Sequence, residues 1–160
     1  MRRPIDTLLL APGAVADVTD DAISGLSRSD PLAAVSPLDG RYASRTAPLS
    51  SYASEAALMR ARTRVEVEYL LALGALDATP VAFDEATEAS LRGIYEEFSA
   101  EDARLIKDLE VDGAAGYAAT NHDVKAVEYF LRVRLAELAD APDAPLDDAE
   151  SLYPWIHFGL

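Results

Sequence analysis

A chain of 160 residues, 50% of them hydrophobic, is long enough for one domain with a real core, since chains of this size bury roughly two thirds of the surface they expose when unfolded. Its 28 Asp and Glu against 14 Lys and Arg give a formal net charge of −14, which argues against nucleic acid or an anionic membrane as the main partner and leaves any anionic ligand to a few local cations. The sequence has no cysteine, which excludes disulfides and thiol chemistry; only two histidines, His122 and His157, which argues against a classical zinc site; and no apolar run near the ~20 residues of a membrane helix, so a soluble, cytoplasmic protein is expected.

The first residues, Met1-Arg2-Arg3 followed by Leu8-Leu9-Leu10-Ala11 and Ala14-Val15-Ala16, imitate a secretory signal. Asp6 interrupts the apolar stretch and Pro12-Gly13 ends it after a handful of residues, so residues 1–30 are expected to be a weakly ordered extension and 31–160 the folded part. Ser36-Pro37-Leu38-Asp39-Gly40-Arg41-Tyr42 concentrates Pro, Asp and Gly in a turn that displays Arg41 and Tyr42. From Ser50 to about Leu73 there is neither Pro nor Gly, and Ala56, Met59, Thr63, Val67, Leu70 and Leu71 recur at helical spacing. Arg62 with Glu66 and Arg64 with Glu68 stand at i, i+4, as in a solvated face laced by ion pairs, and Gly74 is the natural stop before Thr79-Pro80.

A second helix is expected from Asp84 to Phe98, turning Ala89, Ile94 and Phe98 inward, and a third from Ser99, where Ser99 and Asp102 form a capping box ahead of Leu105, Ile106 and Leu109. Gly113 and Gly116 break the pattern. The clearest helical signal then runs from Asn121 to about Leu138, with Val124, Val127, Leu131, Leu135 and Leu138 on one stripe and Asn121 or Asp123 as its cap. A loop rich in Ala, Pro and Asp, 139–148, leads to a short last element and Trp155-Ile156-His157-Phe158-Gly159-Leu160. No convincing alternating strand occurs, and the chain reads as mainly α. Only Lys107 and Lys125 are lysines, a balance that suits a salt-adapted, halophile-like surface, the plainer alternative being an ordinary acidic cytosolic protein.

Three places have residues suited to chemistry. The helix start at Thr120-Asn121-His122-Asp123 offers free backbone N–H groups, the positive end of a helix dipole and a titratable donor, a combination that favours a phosphate or carboxylate. The plainer reading is that Asn121 and Asp123 only cap the helix while His122 is solvated. Arg41, on a glycine-bearing loop beside the Tyr42 phenol, suits bidentate phosphate binding, although a surface Arg next to a packed Tyr is the commoner outcome. His157, between Ile156 and Phe158, reads by composition as a half-buried, hydrogen-bonded histidine in preference to a ligand or base.

The segments Ser36–Tyr42, Thr120–Leu131 and Ile156–Phe158, in this order and spacing, together with Ser54–Leu70, resemble adenylosuccinate lyase of the bacterial type over roughly residues 31–160. The resemblance implies the N-terminal helical domain of the fumarase/aspartase-type lyase fold, with the central helical bundle missing. In that family homotetramers form around the bundle and each active site draws on three subunits; fumarate is eliminated from adenylosuccinate, giving AMP, and from the succinylo-carboxamide intermediate of purine synthesis. No metal or organic cofactor is implied. By the same resemblance Arg41 and Tyr42 bind the phosphate end of the nucleotide, Asn121, His122 and Asp123 form a second substrate-binding strip whose His assists as an acid or orients substrate, and His157 lines the pocket. In the family a Thr-Ser pair follows the Ile-His-Phe stretch, and the main catalytic acid and base lie far beyond it, so the isolated chain is expected to be inactive. Two alternatives stand beside this reading: another lyase of the superfamily, against which the Arg41-Tyr42 pair argues, and a non-catalytic helical binding or assembly module.

Overall fold

A computed structural model describes residues 30–159, and the expectation of weak order over residues 1–30 lies, apart from Asp30, outside them. The chain divides between Pro48 and Leu49 into two units. In the first, Asp30 caps a 3-10 turn, Pro31–Ala33, by accepting the Leu32 N–H at 2.9 Å. The loop that follows is the expected turn: the Ser36 carbonyl accepts the N–H groups of Asp39 and Gly40, both at 3.1 Å, and Pro37 accepts that of Tyr42 at 2.8 Å. Gly40 is required by a close approach, since a Cβ there would stand 2.5 Å from the Pro31 carbonyl oxygen. A single helical turn, α1 (Ala43–Thr46), closes the unit, its Thr46 hydroxyl donating back to the Leu38 carbonyl at 3.1 Å.

The second unit is built from α2 (Ser50–Ala53), α3 (Glu55–Gly74), α4 (Glu85–Glu96), α5 (Ala100–Val111) and α6 (Asp123–Ala139), with a 3-10 turn at Glu150–Leu152. No strand occurs among the described residues, in agreement with a mainly α chain, and no described helix is long and apolar enough to cross a membrane. The core is one cluster. Val67, Leu70 and Leu71 from α3 meet Leu91 from α4, Ile106 and Leu109 from α5, and Val127, Phe130, Leu131 and Leu135 from α6, closed below by Leu152 and Ile156. Each large apolar side chain buried in this way contributes about 1.5–3 kcal/mol. Phe98 and Phe130 meet edge to face, with centroids 5.9 Å apart.

The caps explain where the helices begin. The expected helix from Ser50 is interrupted at Ser54, whose extended backbone and side chain, accepting the Ala57 N–H at 3.2 Å, restart it as α3. Asp84 caps α4 and Ser99 with Asp102 forms the anticipated capping box of α5. Gly74 is the last residue of α3, as expected, and packing requires it: a Cβ there would meet the Phe83 ring at 2.7 Å. On α4 the inward face is Thr87, Leu91 and Tyr95, not Ala89, which is exposed; Ile94 and Phe98 are half-buried against the core. The stretch that aims Thr87 inward is fixed by its hydroxyl, which donates to the Pro145 carbonyl at 2.7 Å.

The charge run on α3 is not a set of i, i+4 pairs. Arg62 turns to Asp123, Arg64 lies over the Tyr95 ring, and Glu68 accepts from Arg92 and from the Tyr95 hydroxyl. Packed helices supply better-placed partners than the next turn of the same helix, where an exposed pair is worth only about 0.3–0.5 kcal/mol. Glu66 is buried outright.

Candidate functional site

The start of α6 is held by the end of α5. Gly113 and Gly116, at φ of 83° and 84°, turn the chain back, and the N–H groups of Thr120 and Asn121 then donate to the carbonyls of Leu109 at 3.0 Å and Glu110 at 2.8 Å. Asn121 adopts φ of 51°, a left-handed conformation that Asn tolerates better than most residues. This directs His122 to the cap. Its Nδ1 accepts the Lys125 N–H at 3.3 Å, so His122, and not Asn121 or Asp123, caps α6 by its side chain. With Nδ1 accepting, the proton of the neutral ring is assigned to Nε2, which remains free to donate outward.

Asp123 is gripped from α3 by Arg62 at 2.6 Å. That guanidinium, followed by the Val124 N–H, holds the Asp123 carboxyl below the usual carboxylate range. Its negative charge is therefore matched locally. One turn into α6, Lys125 Nζ meets Glu128 at 2.7 Å, and Glu128 in turn accepts from Arg132 at 2.6 Å. Glu128 is buried and shared by two cations, while Lys125 and Arg132 lie over the Tyr129 ring at 5.1 and 5.2 Å.

His157 comes from the far end of the unit. It adopts φ of 60° and its Nδ1 lies 2.5 Å from a Glu66 carboxylate oxygen. The next carbonyl, of Phe158, accepts the Tyr69 hydroxyl at 2.8 Å.

His122 and His157 thereby line one cleft of about 220 Å³ with Val124, Lys125 and Glu128. Asn121 and Asp123 flank it without forming its walls. Arg41 and Tyr42, in the first unit, are both exposed, with the Arg41 and Arg45 guanidinium carbons 5.6 and 5.7 Å from the Tyr42 ring centroid. A larger groove of about 680 Å³ contains Asp84, Asp143, Asp147 and Asp148 and would repel an anion. No group of three His, Asp or Glu among the described residues is placed to hold a metal ion.

Chemically, the smaller cleft suits an anion. Glu128 on its wall is paired with Lys125 and Arg132, Asp123 beside it with Arg62 and Glu66 behind it with His157, leaving the Nε2 atoms of the two imidazoles as the polar groups not already engaged. The expected residues His122 and His157 meet here; Glu66, Lys125 and Glu128 were not anticipated. A signal for two of them exists in the sequence. Glu66 continues the Met59, Thr63, Leu70 stripe and Glu128 the Val124, Leu131, Leu135 stripe, so each carboxylate falls on an apolar face, where it must find a partner.

No family model matches the chain. It is 39% identical over 132 residues to the adenylosuccinate lyase of Dictyostelium discoideum, covering 81% of this chain and 25% of that protein. The corresponding enzyme of Haemophilus influenzae is 44% identical over 106 residues, 65% of this chain and 22% of that protein, and that of Escherichia coli K12 is 42% identical over 111 residues, 68% and 23% respectively. The chain thus spans about a quarter of the length of the curated relatives it matches. With that identity running over 65–81% of its own length, the chain belongs to the adenylosuccinate lyase family.

Proposed function

We propose that residues 31–160 form the N-terminal helical domain of an adenylosuccinate lyase, a carbon–nitrogen lyase that eliminates fumarate from adenylosuccinate to give AMP and from the succinylo-carboxamide intermediate of purine synthesis. The observation that carries this reading is the convergence of His122 and His157, distant in sequence, on one cleft beside Lys125. The substrate has a phosphate and two carboxylates, and a chain of net charge −14 must meet them with local donors. In this reading Arg41 and Tyr42 take the phosphate end, Asn121, His122 and Asp123 form a second binding strip, and His157 closes the pocket wall.

Elimination requires a base to remove a proton next to a carboxylate and an acid to protonate the departing nitrogen. His122, whose Nδ1 caps α6 so that Nε2 carries the proton of the neutral ring, is suited to donate or to orient. Arg62 neutralises Asp123 and so keeps that carboxylate from repelling an anionic substrate. The full-length enzyme works in the cytoplasm without cofactor.

Calorimetric titration with AMP tests the reading. Saturable binding is expected, weakened about tenfold or more by Arg41→Ala and by His122→Asn, the scale of one lost charge-assisted hydrogen bond. Absence of binding, or binding indifferent to both substitutions, contradicts it.

A reading as an assembly piece has its own support, since Leu58 and Val65, two turns apart on α3, are 49% and 59% exposed. This apolar stripe fits association of copies in the homotetramer of the full-length enzyme. Sedimentation that shows a monomer unaltered by Leu58→Glu would exclude a role for that face in this chain.

A further inference from the structure

One face of α3 reaches the separate stretches of chain that present the cleft. Arg62 donates to Asp123 at the start of α6 at 2.6 Å, Glu66 meets His157 at 2.5 Å, and Tyr69 donates to the Phe158 carbonyl at 2.8 Å. Positions 62, 66 and 69 stand at i, i+4 and i+7, so they form a single stripe along one helix side. α3 is therefore the element on which both histidine-bearing segments are registered.

Glu66 is the unusual member of the stripe. It is only 5% exposed, and its Oε2 has no hydrogen-bond partner among the described residues. A buried carboxylate is tolerated when a hydrogen-bonded cation or strong donor compensates it, and His157 is the group placed to do so. His157 itself sits at φ of 60°, a conformation that side chains with a Cβ rarely adopt and that persists where surrounding contacts impose it. Two costly local states, a buried carboxylate and a left-handed histidine, thus meet at one contact beside the cleft. Neither is needed to fill the core, which Val67 and Leu70 already do from the same helix.

We propose that Glu66 is a positioning residue for His157: its carboxylate accepts the Nδ1 proton, fixes the ring plane, and leaves Nε2 as the atom that His157 offers to a ligand in the cleft. A carboxylate bound to one ring nitrogen sets the tautomer and the orientation of the ring. Protonated, Nε2 donates to an anionic oxygen; neutral, it accepts a proton. The role at the ligand rests on the lyase reading of the cleft, but the dyad itself does not.

Long-range nitrogen–proton correlation spectra of the histidine rings in the intact 160-residue chain test the dyad, with His122→Asn used for assignment. At a pH where the ring is neutral, His157 is expected as the Nδ1–H tautomer. Glu66→Gln should keep that tautomer, because the amide oxygen still accepts. Glu66→Leu should shift it to the Nε2–H form of a free imidazole while the chain remains folded by circular dichroism. An Nε2–H tautomer in the unsubstituted chain overturns the proposal, as does an unchanged tautomer in Glu66→Leu. If Glu66→Leu does not fold, the unsubstituted chain and Glu66→Gln decide: an Nδ1–H tautomer in both sustains it, and its absence from either overturns it. No ligand enters these measurements, so a chain with the expected tautomer but no AMP binding refutes the lyase reading and retains the dyad.

Discussion

His122 combines two tasks whose requirements can be separated by substitution. As the cap of α6 it needs only an acceptor at Nδ1, whereas a role toward substrate needs the Nε2 proton. Asn is among the best capping residues, so His122→Asn is expected to keep or slightly raise stability while losing the imidazole donor; His122→Ala should lose the cap as well, at about 1 kcal/mol in urea unfolding. Equal destabilisation by both would show that the ring does more than cap. Asp102 makes a comparable case for the fold. Burial pushes its carboxyl up, but the Ser99 N–H and hydroxyl and the Arg134 guanidinium outweigh that and hold it below the usual carboxylate range. A carboxylate lowered in the folded state contributes stability that is complete above its unfolded pKa of about 3.9 and is lost as pH falls through the folded value. Asp102→Asn should therefore destabilise the chain by about 2 kcal/mol at neutral pH and flatten the acid limb of its stability curve below about pH 4. An acid limb unchanged by the substitution would contradict this assignment.

Among the elements, the helices were legible where the cap and the stripe agreed. Ser99 with Asp102 announced α5, and the Val127, Leu131, Leu135 stripe announced α6. The break at Ser54 was not legible from periodicity, because a serine inside a helical pattern is neutral until its side chain is seen to accept a backbone N–H. The inward face of α4 was misread for a related reason: Leu91 is fully buried while Ala89 points out, and small apolar residues carry little phase information. Gly74 reads correctly as the end of α3, and its packing against Phe83, which the sequence did not announce, gives a test. At an ordinary helix position Gly→Ala stabilises by up to about 1 kcal/mol. Here the added Cβ would meet the Phe83 ring at 2.7 Å, so Gly74→Ala is expected to lower stability by about 1–2 kcal/mol in thermal or urea unfolding, and a gain would show that the ring yields freely.

For the whole molecule, charge and site have to be considered together. The net charge of −14 makes self-repulsion a standing cost, and both lysines are already committed to ion pairs, Lys107 with Glu55 and Glu110 and Lys125 with Glu128. Screening of surface repulsion should then raise the melting temperature between low and molar salt; a melting temperature that falls would exclude a salt-adapted surface. Of the site, the residue types and their loops were readable in the sequence, but the contacts were not, since Arg62–Asp123 and Glu66–His157 join segments that only folding brings together. Glu66 and Glu128 were hidden in plain stripes for the same reason.

The proposal that His122, Lys125 and His157 serve one ligand is tested most directly by mapping backbone amide shifts of the chain during titration with adenylosuccinate. Saturating changes centred on residues 121–125 and 156–158, with one common dissociation constant, are predicted. Changes centred on the acidic groove at residues 143–148, or no saturating change at all, would contradict it.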